Sequence, residues 1–377
     1  MPTDGLVLVD ATSVPASRSG VGRYVDGLIG ALDGPFVVAC QQRDAEHYRR
    51  LAPGATVLPQ SARLESVPLR LIWEQLRLPA IARRAGARVI HSPHYTLPLL
   101  SGLRRVVTFH DATFFSDPGV HTRAKRLFFR AWIRISSRLA DRIVVPSRAT
   151  ASEITRYLGR EREYDVAYHG VDPEVFHPPT SGEIAAAASA FGLTATPWIG
   201  FLGTIEPRKN LPQLIRAYAA VVSRWRHERG PVPVLALAGN QGWENEVQGE
   251  IDRVPEPGRV VQLGYIELDS VRAFLGGATI VSYPSLGEGF GLPVLEGMAS
   301  GAAVLTTERL ALPEVGGDAV AYSDTDAASI AAAIELLLDS PEERARLGAL
   351  GIERAREFTW ARCAAVHRAA YAAALAG

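Results

Sequence analysis

From residue 6 to residue 321 the chain alternates short apolar runs with longer stretches of helical periodicity, and this rhythm narrows the fold more than any other feature. The first half holds candidate strands at 6–10, 36–40, 89–91, 105–109 and 142–146, with helical patterns at 22–32, 69–85, 122–140 and 149–158. The second half repeats the order, with strands expected at 198–202, 234–238, 260–263, 279–283, 303–306 and 319–321. These runs are apolar at nearly every position, as in strands buried on both faces. A repeated strand–helix order implies parallel sheets wrapped by helices. The predicted class is α/β, built from two doubly wound domains, and a length of 377 residues suits two. Turn formers concentrate in Gly170-Val171-Asp172-Pro173 and again in His177-Pro178-Pro179-Thr180-Ser181-Gly182, so the linker is placed there. The domains then run over 1–178 and 179–357, and an alanine-rich helix at 183–191 leads into the second.

Several function classes are set aside by composition. Lys and Arg total 40, as do Asp and Glu, so no global charge points to nucleic acid. Cys40 and Cys363 are far apart and lack metal or disulfide spacing, which fits a reducing cytoplasm. No run of about eighteen apolar residues predicts a membrane span. No basic leader stands before a long apolar stretch at the N-terminus, so a secretory signal is not expected.

The most informative segment is Glu288-Gly-Phe-Gly-Leu-Pro-Val-Leu-Glu296. The apolar run 278–284 before it reads as a buried strand, and 293–300 after it reads as a helix closed by Gly301. Gly287, Gly289 and Gly291 therefore sit in a turn at the carboxyl end of a strand, where open α/β sheets bind ligands. Backbone N–H groups at a helix start favour phosphate, whereas the flanking acids suit hydroxyls. A sugar attached to a phosphate satisfies both.

Other strand ends carry matching chemistry. Ser17-Arg18-Ser19-Gly20-Val21-Gly22-Arg23-Tyr24 is a glycine-containing loop that opens a helix, and Gly20 and Gly22 would let backbone approach a diphosphate. Thr108-Phe109-His110-Asp111 places His110 at a strand end, where it can donate to a sugar hydroxyl and be oriented by the neighbouring Asp111. The first strand of the second half runs into Gly203-Thr204-Ile205-Glu206-Pro207-Arg208-Lys209-Asn210, whose adjacent cations can neutralise a leaving diphosphate. Lys209 is one of only two lysines, the other being Lys125, in a chain that otherwise uses arginine. A lysine retained at a strand end suggests a role that arginine would not fill.

In order and spacing these motifs resemble the retaining glycosyltransferases of family 4, which have the GT-B fold, and in particular their bacterial mannosyltransferase-like members. The resemblance spans nearly the whole chain: Ser-Gly-Val-Gly-Arg-Tyr, Phe-His-Asp, Gly-Val-Asp-Pro-Glu-Val-Phe, Pro-Arg-Lys-Asn, the Glu-x7-Glu segment and the terminal Phe358-Thr359-Trp360. It implies two Rossmann-like domains facing across a cleft, an acceptor-binding first and a donor-binding second, with a terminal helix at 358–377 crossing back to the first. By the same resemblance Glu288 meets hydroxyls of the donor sugar, and Phe290, Gly291 and Leu292 lie near sugar and phosphates. Glu296 holds the ribose, Arg208 and Lys209 stabilise the departing diphosphate, and the loop at Gly20 closes over it. His110 lies near the reacting sugar, Gly203 precedes the cationic turn, and Tyr265 and Ile266 contact the base largely through backbone. The family commonly places an arginine where this chain has Thr204, so Arg208 is expected to supply that charge.

The implied reaction is transfer of a hexose from a nucleotide-diphosphate sugar, best GDP-mannose, to a hydroxyl of a glycan, lipid-linked or small-molecule acceptor, with retention. No cofactor and no metal are expected, because the cationic turn and a helix N-terminus can take the metal's place. Asp324-Thr-Asp326 precedes a helical run at 327–338 and reads as an N-cap, and His91-Ser-Pro-His94 lacks further ligands, which leaves it as a loop beyond a strand end. The stretches 69–85 and 121–142 mix arginines with apolar residues, a pattern that permits peripheral contact with an anionic membrane from the cytoplasmic side. A UDP-sugar-dependent transferase, a GT-B-like nucleotide-sugar epimerase and a non-catalytic carbohydrate-binding protein are the rival readings.

Overall fold

A computed structural model of the chain describes residues 5–377 apart from 17, 19, 117, 118, 120, 121 and 195. Contacts divide it into two compact units, Met1–Gly170 with Phe358–Gly377, and Val171–Glu357.

In the first unit seven strands form one parallel sheet: β1 (Leu6–Asp10), β2 (Val37–Gln41), β3 (Thr56–Gln60), β4 (Ala87–Ser92), β5 (Arg104–Thr108), β6 (Arg142–Val145) and β7 (Asp165–Val166). Their order is β3-β2-β1-β4-β5-β6-β7, so the winding reverses between β1 and β4. One face, with Val7, Val9, Val38, Val89 and Val106, packs against Tyr24, Val25 and Leu28 of the helix Gly20–Ala31 and against Ala364, Ala370 and Tyr371 of the terminal helix Trp360–Ala376. Leu8, Val37, Ala39 and Ile90 point the other way, onto Leu78 and Ala82.

The second unit holds a six-stranded parallel sheet of β8 (Trp198–Leu202), β9 (Val234–Ala238), β10 (Val260–Gly264), β11 (Ile280–Tyr283), β12 (Val304–Thr307) and β13 (Ala321–Ser323), in the order β10-β9-β8-β11-β12-β13. Every residue of β8, β9, β11 and β12 is buried, which accounts for their unbroken apolar runs. Its switch point lies between β8 and β11.

Three differences from the sequence reading have local causes. The edge strands β3 and β7 were not expected, because β3 contains Pro59, reads against a strand and is half-buried, and β7 has only two residues. The single helix expected at 69–85 is two, Val67–Leu76 and Leu78–Arg84, since Pro79 fits only the first turn of a new helix. The last strand begins at Ala321 rather than Ala319, after a 3-10 turn at Gly317–Ala319.

Candidate active site

Ligands of open α/β sheets bind at the carboxyl ends of the strands flanking a switch point. In the second unit those ends carry the two motifs that stand out in the sequence: Pro207–Lys209 beyond β8 and Glu288 beyond β11. Backbone fixes the two segments against each other, with the Leu286 amide donating to the Arg208 carbonyl at 2.9 Å. Glycine permits the crowding beneath them. Gly239, at φ +145°, lies so close to β8 that a Cβ on it would sit 1.9 Å from the Gly203 carbonyl oxygen.

Pro207–Lys209 is a single 3-10 turn ended by Asn210 at φ +61°, and it aims two adjacent cations at one carboxylate. Lys209 Nζ lies 2.7 Å from Glu288 Oε1 and also donates to the Tyr283 hydroxyl, which itself donates to Glu288 Oε1 at 2.9 Å. Ser285 Oγ donates to the same oxygen at 2.7 Å. Arg208 pairs through Nη1 with Glu288 Oε2 and through Nη2 with Glu206 at 2.7 Å. Oε1 thus accepts from three groups, and only Oε2 keeps capacity for a further donor. The acid expected to meet sugar hydroxyls is therefore first an anchor for Lys209 and Arg208.

The electrostatics follow from this geometry. Burial alone would raise the Glu288 carboxyl, but the charges of Arg208 and Lys209 overrule it and hold the group at about 2. Burial and the neighbouring Arg208 push Lys209 below the ordinary lysine range, against the pull of Glu288 and Glu206. Burial raises the Tyr283 hydroxyl, so it remains a donor to Glu288. Two of the three Lys209 protons are committed to Glu288 and Tyr283, which leaves one N–H for a ligand.

Gly291, at φ +108°, begins the helix Leu292–Ala299, and no side chain caps that end. Amides at an uncapped N-terminus are donors for an anion. Phe290, Leu292 and Glu296 are buried around this turn. Tyr265 and Ile266 leave the end of β10, the edge strand, with Tyr265 half exposed and Ile266 buried. Asp326 accepts from the Ala328 and Ser329 amides at 3.0 Å each, the N-cap expected of Asp324-Thr-Asp326. Among the described residues no group of three or more His, Cys, Asp or Glu could hold a metal ion.

The first unit holds the remaining candidates. Gly20 opens its helix, and a Cβ there would meet nothing within 4 Å, whereas one on Gly22 would press on Arg18 Cβ at 3.3 Å. Arg18 is itself tied to Asp26 and Asp44, at 2.6 and 2.8 Å. Ser17 and Ser19, quoted above, and His121, the first residue of the stretch 121–142, lie outside the described residues. His110 is oriented by backbone rather than by Asp111: its Nε2 lies 2.7 Å from the Pro93 carbonyl oxygen, while the Asp111 carboxylate accepts from Thr113 at 2.8 Å. A carbonyl can only accept, so Nε2 carries the proton, and burial lowers the pKa so that Nδ1 keeps its lone pair. His91 falls within the strand expected at 89–91. It lies in β4, fully buried, and meets Tyr371 and Thr108 at 2.8 and 2.9 Å.

Tyr283, Ser285 and Glu206 complete the cluster and were not singled out from the sequence. Tyr283 and Ser285 read there as strand and turn, and only the period-two register that turns Tyr283 toward Lys209 marks them.

Comparison with known proteins agrees with this architecture. Residues 18–175 match the model described as glycosyltransferase family 4, and residues 192–354 match glycosyl transferases group 1. The chain is 31% identical over 277 residues to the O-antigen chain mannosyltransferase B of Escherichia coli, covering 73% of this chain and 71% of that protein. It is 27% identical over 300 residues to a lipopolysaccharide core biosynthesis mannosyltransferase of Rhizobium leguminosarum bv. viciae, covering 77% and 78%. The sucrose-phosphate synthase of Thermosynechococcus elongatus has the same fold, with a TM-score of 0.78 at 21% identity over 98% of this chain and 99% of that one. Two parallel Rossmann-like sheets and a charged switch-point turn define a glycosyltransferase of GT-B type. The chain belongs to glycosyltransferase family 4, among its bacterial mannosyltransferase-like members.

Proposed function

We propose that this protein transfers mannose from GDP-mannose to a hydroxyl of a glycan or lipid-linked acceptor, with retention at the anomeric carbon and without a divalent metal. The observation that carries the reading is the Lys209–Glu288–Arg208 cluster at the switch point of the second sheet, beside an uncapped helix N-terminus. There the diphosphate would receive the uncommitted Lys209 proton, Arg208 and amides at Gly291 and Leu292. Glu288 keeps the two cations in place, and its Oε2 can still accept from a sugar hydroxyl. Glu296 would take the ribose hydroxyls, and Tyr265 and Ile266 would bound the base.

In the reaction the bond from C1 to the β-phosphate oxygen breaks and a bond from C1 to the acceptor oxygen forms on the same face. The acceptor proton passes to the departing phosphate. Negative charge grows on the diphosphate as it leaves, and fixed positive groups in a buried site stabilise it more in the transition state than in the ground state. His110, neutral and with Nδ1 as acceptor, would receive a hydrogen bond from a hydroxyl of the reacting sugar. Gly20 and Gly22 would let the backbone of their loop approach a phosphate, and Gly203 follows β8 just before the cationic turn.

Mannose is favoured because the similar O-antigen and core-biosynthesis proteins are mannosyltransferases, and guanine is the base that the family resemblance implies for such members. A thermal-shift comparison of GDP, UDP and their sugar conjugates, followed by NMR of the glycoside formed from GDP-mannose, tests the reading. Stabilisation by GDP-mannose and an α-linked product are expected. Stabilisation by UDP-sugars alone would replace the donor, and isomerised donor without transfer would favour an epimerase.

A further inference from the structure

The carboxyl edge of the first sheet carries a layer of polar side chains at its switch point. Asp10, Gln41 and Ser92 are the last residues of β1, β2 and β4, and all three are buried. Each stands two residues beyond Leu8, Ala39 or Ile90, so the two-residue period of a strand turns all three to the face those residues share. The ends of β1 and β4 are neighbours, with Val9 paired to His91 one residue earlier. The helix Val67–Leu76 packs Trp73 onto this same face, and its polarity is inverted there. An amphipathic helix normally buries its apolar stripe. This one buries Arg70 and Glu74 and leaves Ile72 and Leu76 exposed.

Hydrogen bonds satisfy only part of the layer. Thr12 donates through its amide and its hydroxyl to Asp10 Oδ1, at 3.0 and 2.6 Å, and among the described residues nothing donates to Oδ2. Gln41 Nε2 donates to the Thr12 carbonyl at 2.8 Å, which fixes the amide and leaves Oε1 buried without a partner. Ser92 Oγ is buried without a partner as well. Glu74 accepts from the Thr96 hydroxyl at 2.7 Å and from the Gln75 amide at 3.1 Å. Arg70 is 9% exposed, yet among the described residues its one hydrogen bond is a 3.5 Å contact with Glu74 Oε2. Polar atoms left unpaired in the interior are costly, and several in one layer point to a ligand that pairs them.

The uncommitted groups form a matched set. Arg70 and the Ser92 hydroxyl can donate, while Asp10 Oδ2 and Gln41 Oε1 can accept. Adjacent hydroxyls meet both needs, because each one donates and accepts. An anion would meet Arg70 alone and be opposed by Asp10 and Glu74. Burial raises the Asp10 carboxyl, and burial together with the nearby Asp10 pushes Glu74 up to about 7, so the layer resists further negative charge. The layer also reaches the histidine assigned above to the reacting sugar. Burial, His110 and then Arg70 lower His94 to about 3, and the His94 and His110 rings lie 5.9 Å apart. Granted the transferase reading, on which this rests, we propose that Asp10, Gln41, Arg70 and Ser92 hold adjacent hydroxyls of the acceptor. The receiving end of the acceptor is then an uncharged sugar, and a phosphorylated one is excluded.

Saturation-transfer NMR of the full chain tests this, with methyl glycosides of mannose, glucose, galactose and N-acetylglucosamine as neutral probes and a mannose phosphomonoester as the anionic one. At least one neutral glycoside should bind, with an affinity that falls at least about fivefold in Ser92→Ala. Any binding of the phosphomonoester should be unchanged by that substitution. Because Ser92 Oγ has no protein partner, its removal should leave the unfolding midpoint within about 1 °C. Gln41→Leu is a second variant and should weaken the same glycoside. No neutral glycoside bound, equal affinity in the folded variants, or phosphomonoester binding that depends on Ser92 each overturns the proposal. A Ser92→Ala protein that melts several degrees lower does so too, because the hydroxyl then serves the fold through a buried water. Titration of GDP-mannose into the wild type separates the two readings. If it fails to bind while a glycoside still depends on Ser92, the donor assignment falls and the sugar site stands; if it binds and no glycoside does, only the sugar site falls.

Discussion

At the scale of single residues, the site is an ion cluster whose members depend on one another. Lys209 is buried, and an ammonium without a counter-charge there would be costly, so Glu288 is needed to keep it charged. Lys209→Ala should therefore lower kcat by about a hundredfold or more in a donor-hydrolysis or transfer assay, since it removes a charge aimed at the leaving group. Glu288→Gln keeps the shape but strips both cations of their partner, and should cost on the order of 3 kcal/mol in chemical denaturation. Because the two side chains form one unit, the double variant should fall short of the sum of the single effects by more than about 1 kcal/mol. A strictly additive cycle would separate them. Glu288 and Lys209 were legible in the sequence because charged residues at strand ends stand out against apolar runs. Their mutual pairing was not, since 79 residues separate them and only the β8–β11 adjacency brings them together.

At the scale of elements, the terminal helix Trp360–Ala376 was expected to return to the first domain, but the groups that hold it there were not legible in the sequence. It meets the first sheet through a buried polar seam: Tyr371 hydroxyl to His91 Nδ1, His367 Nε2 to Tyr24 hydroxyl and Tyr24 hydroxyl to Thr108 Oγ1, each at 2.8 Å. Burial pushes His367 down to about 4 and His91 well below the ordinary histidine range, the latter helped by the nearby His367. A lowered histidine pKa means that the unfolded chain takes up a proton near pH 6.5 while the folded one resists. Stability is then lost as the pH falls from about 6.5 toward 4, by on the order of 3 kcal/mol for His367 alone. Hydrogen exchange of the terminal helix at pH 7 and pH 5 should show the loss there first, and flat protection across that range would contradict it. The helix start is gripped by glycines: a Cβ on Gly27 would lie 2.2 Å from the Trp360 ring, and one on Gly170 2.1 Å from the Trp360 amide nitrogen. Gly27→Ala should lower the melting temperature by several degrees, as overpacking in a close-packed core does. The sequence revealed most strand positions through apolar runs, but Gly27 and His367 looked unremarkable, because their constraint comes from elements hundreds of residues away.

At the scale of the whole molecule, a chain of zero formal net charge divides its labour by local charge. A compensated ion cluster lies at the switch point of the second unit, and residues 66–140 of the first unit hold thirteen Arg or Lys against three Asp or Glu. Fold class and the principal strand ends were readable because both units obey the strand–helix rhythm; that the helix Val67–Leu76 buries Arg70 and Glu74 and leaves Ile72 and Leu76 exposed was not, because its pattern looked like ordinary amphipathicity. If Arg208, Lys209 and the helix N-terminus supply the positive charge for the leaving diphosphate, turnover should persist in excess EDTA. Complete loss restored by Mn²⁺ or Mg²⁺ would show that a metal supplies it instead. The central claim is that Lys209, held by Glu288, receives the diphosphate of a guanosine-linked donor. Isothermal titration of GDP-mannose into the wild type and into folded Lys209→Ala tests it directly: binding to the wild type, weakened at least about tenfold in the variant, is predicted. Equal affinity for both proteins, or binding of UDP-sugars with none of GDP-mannose, would contradict it.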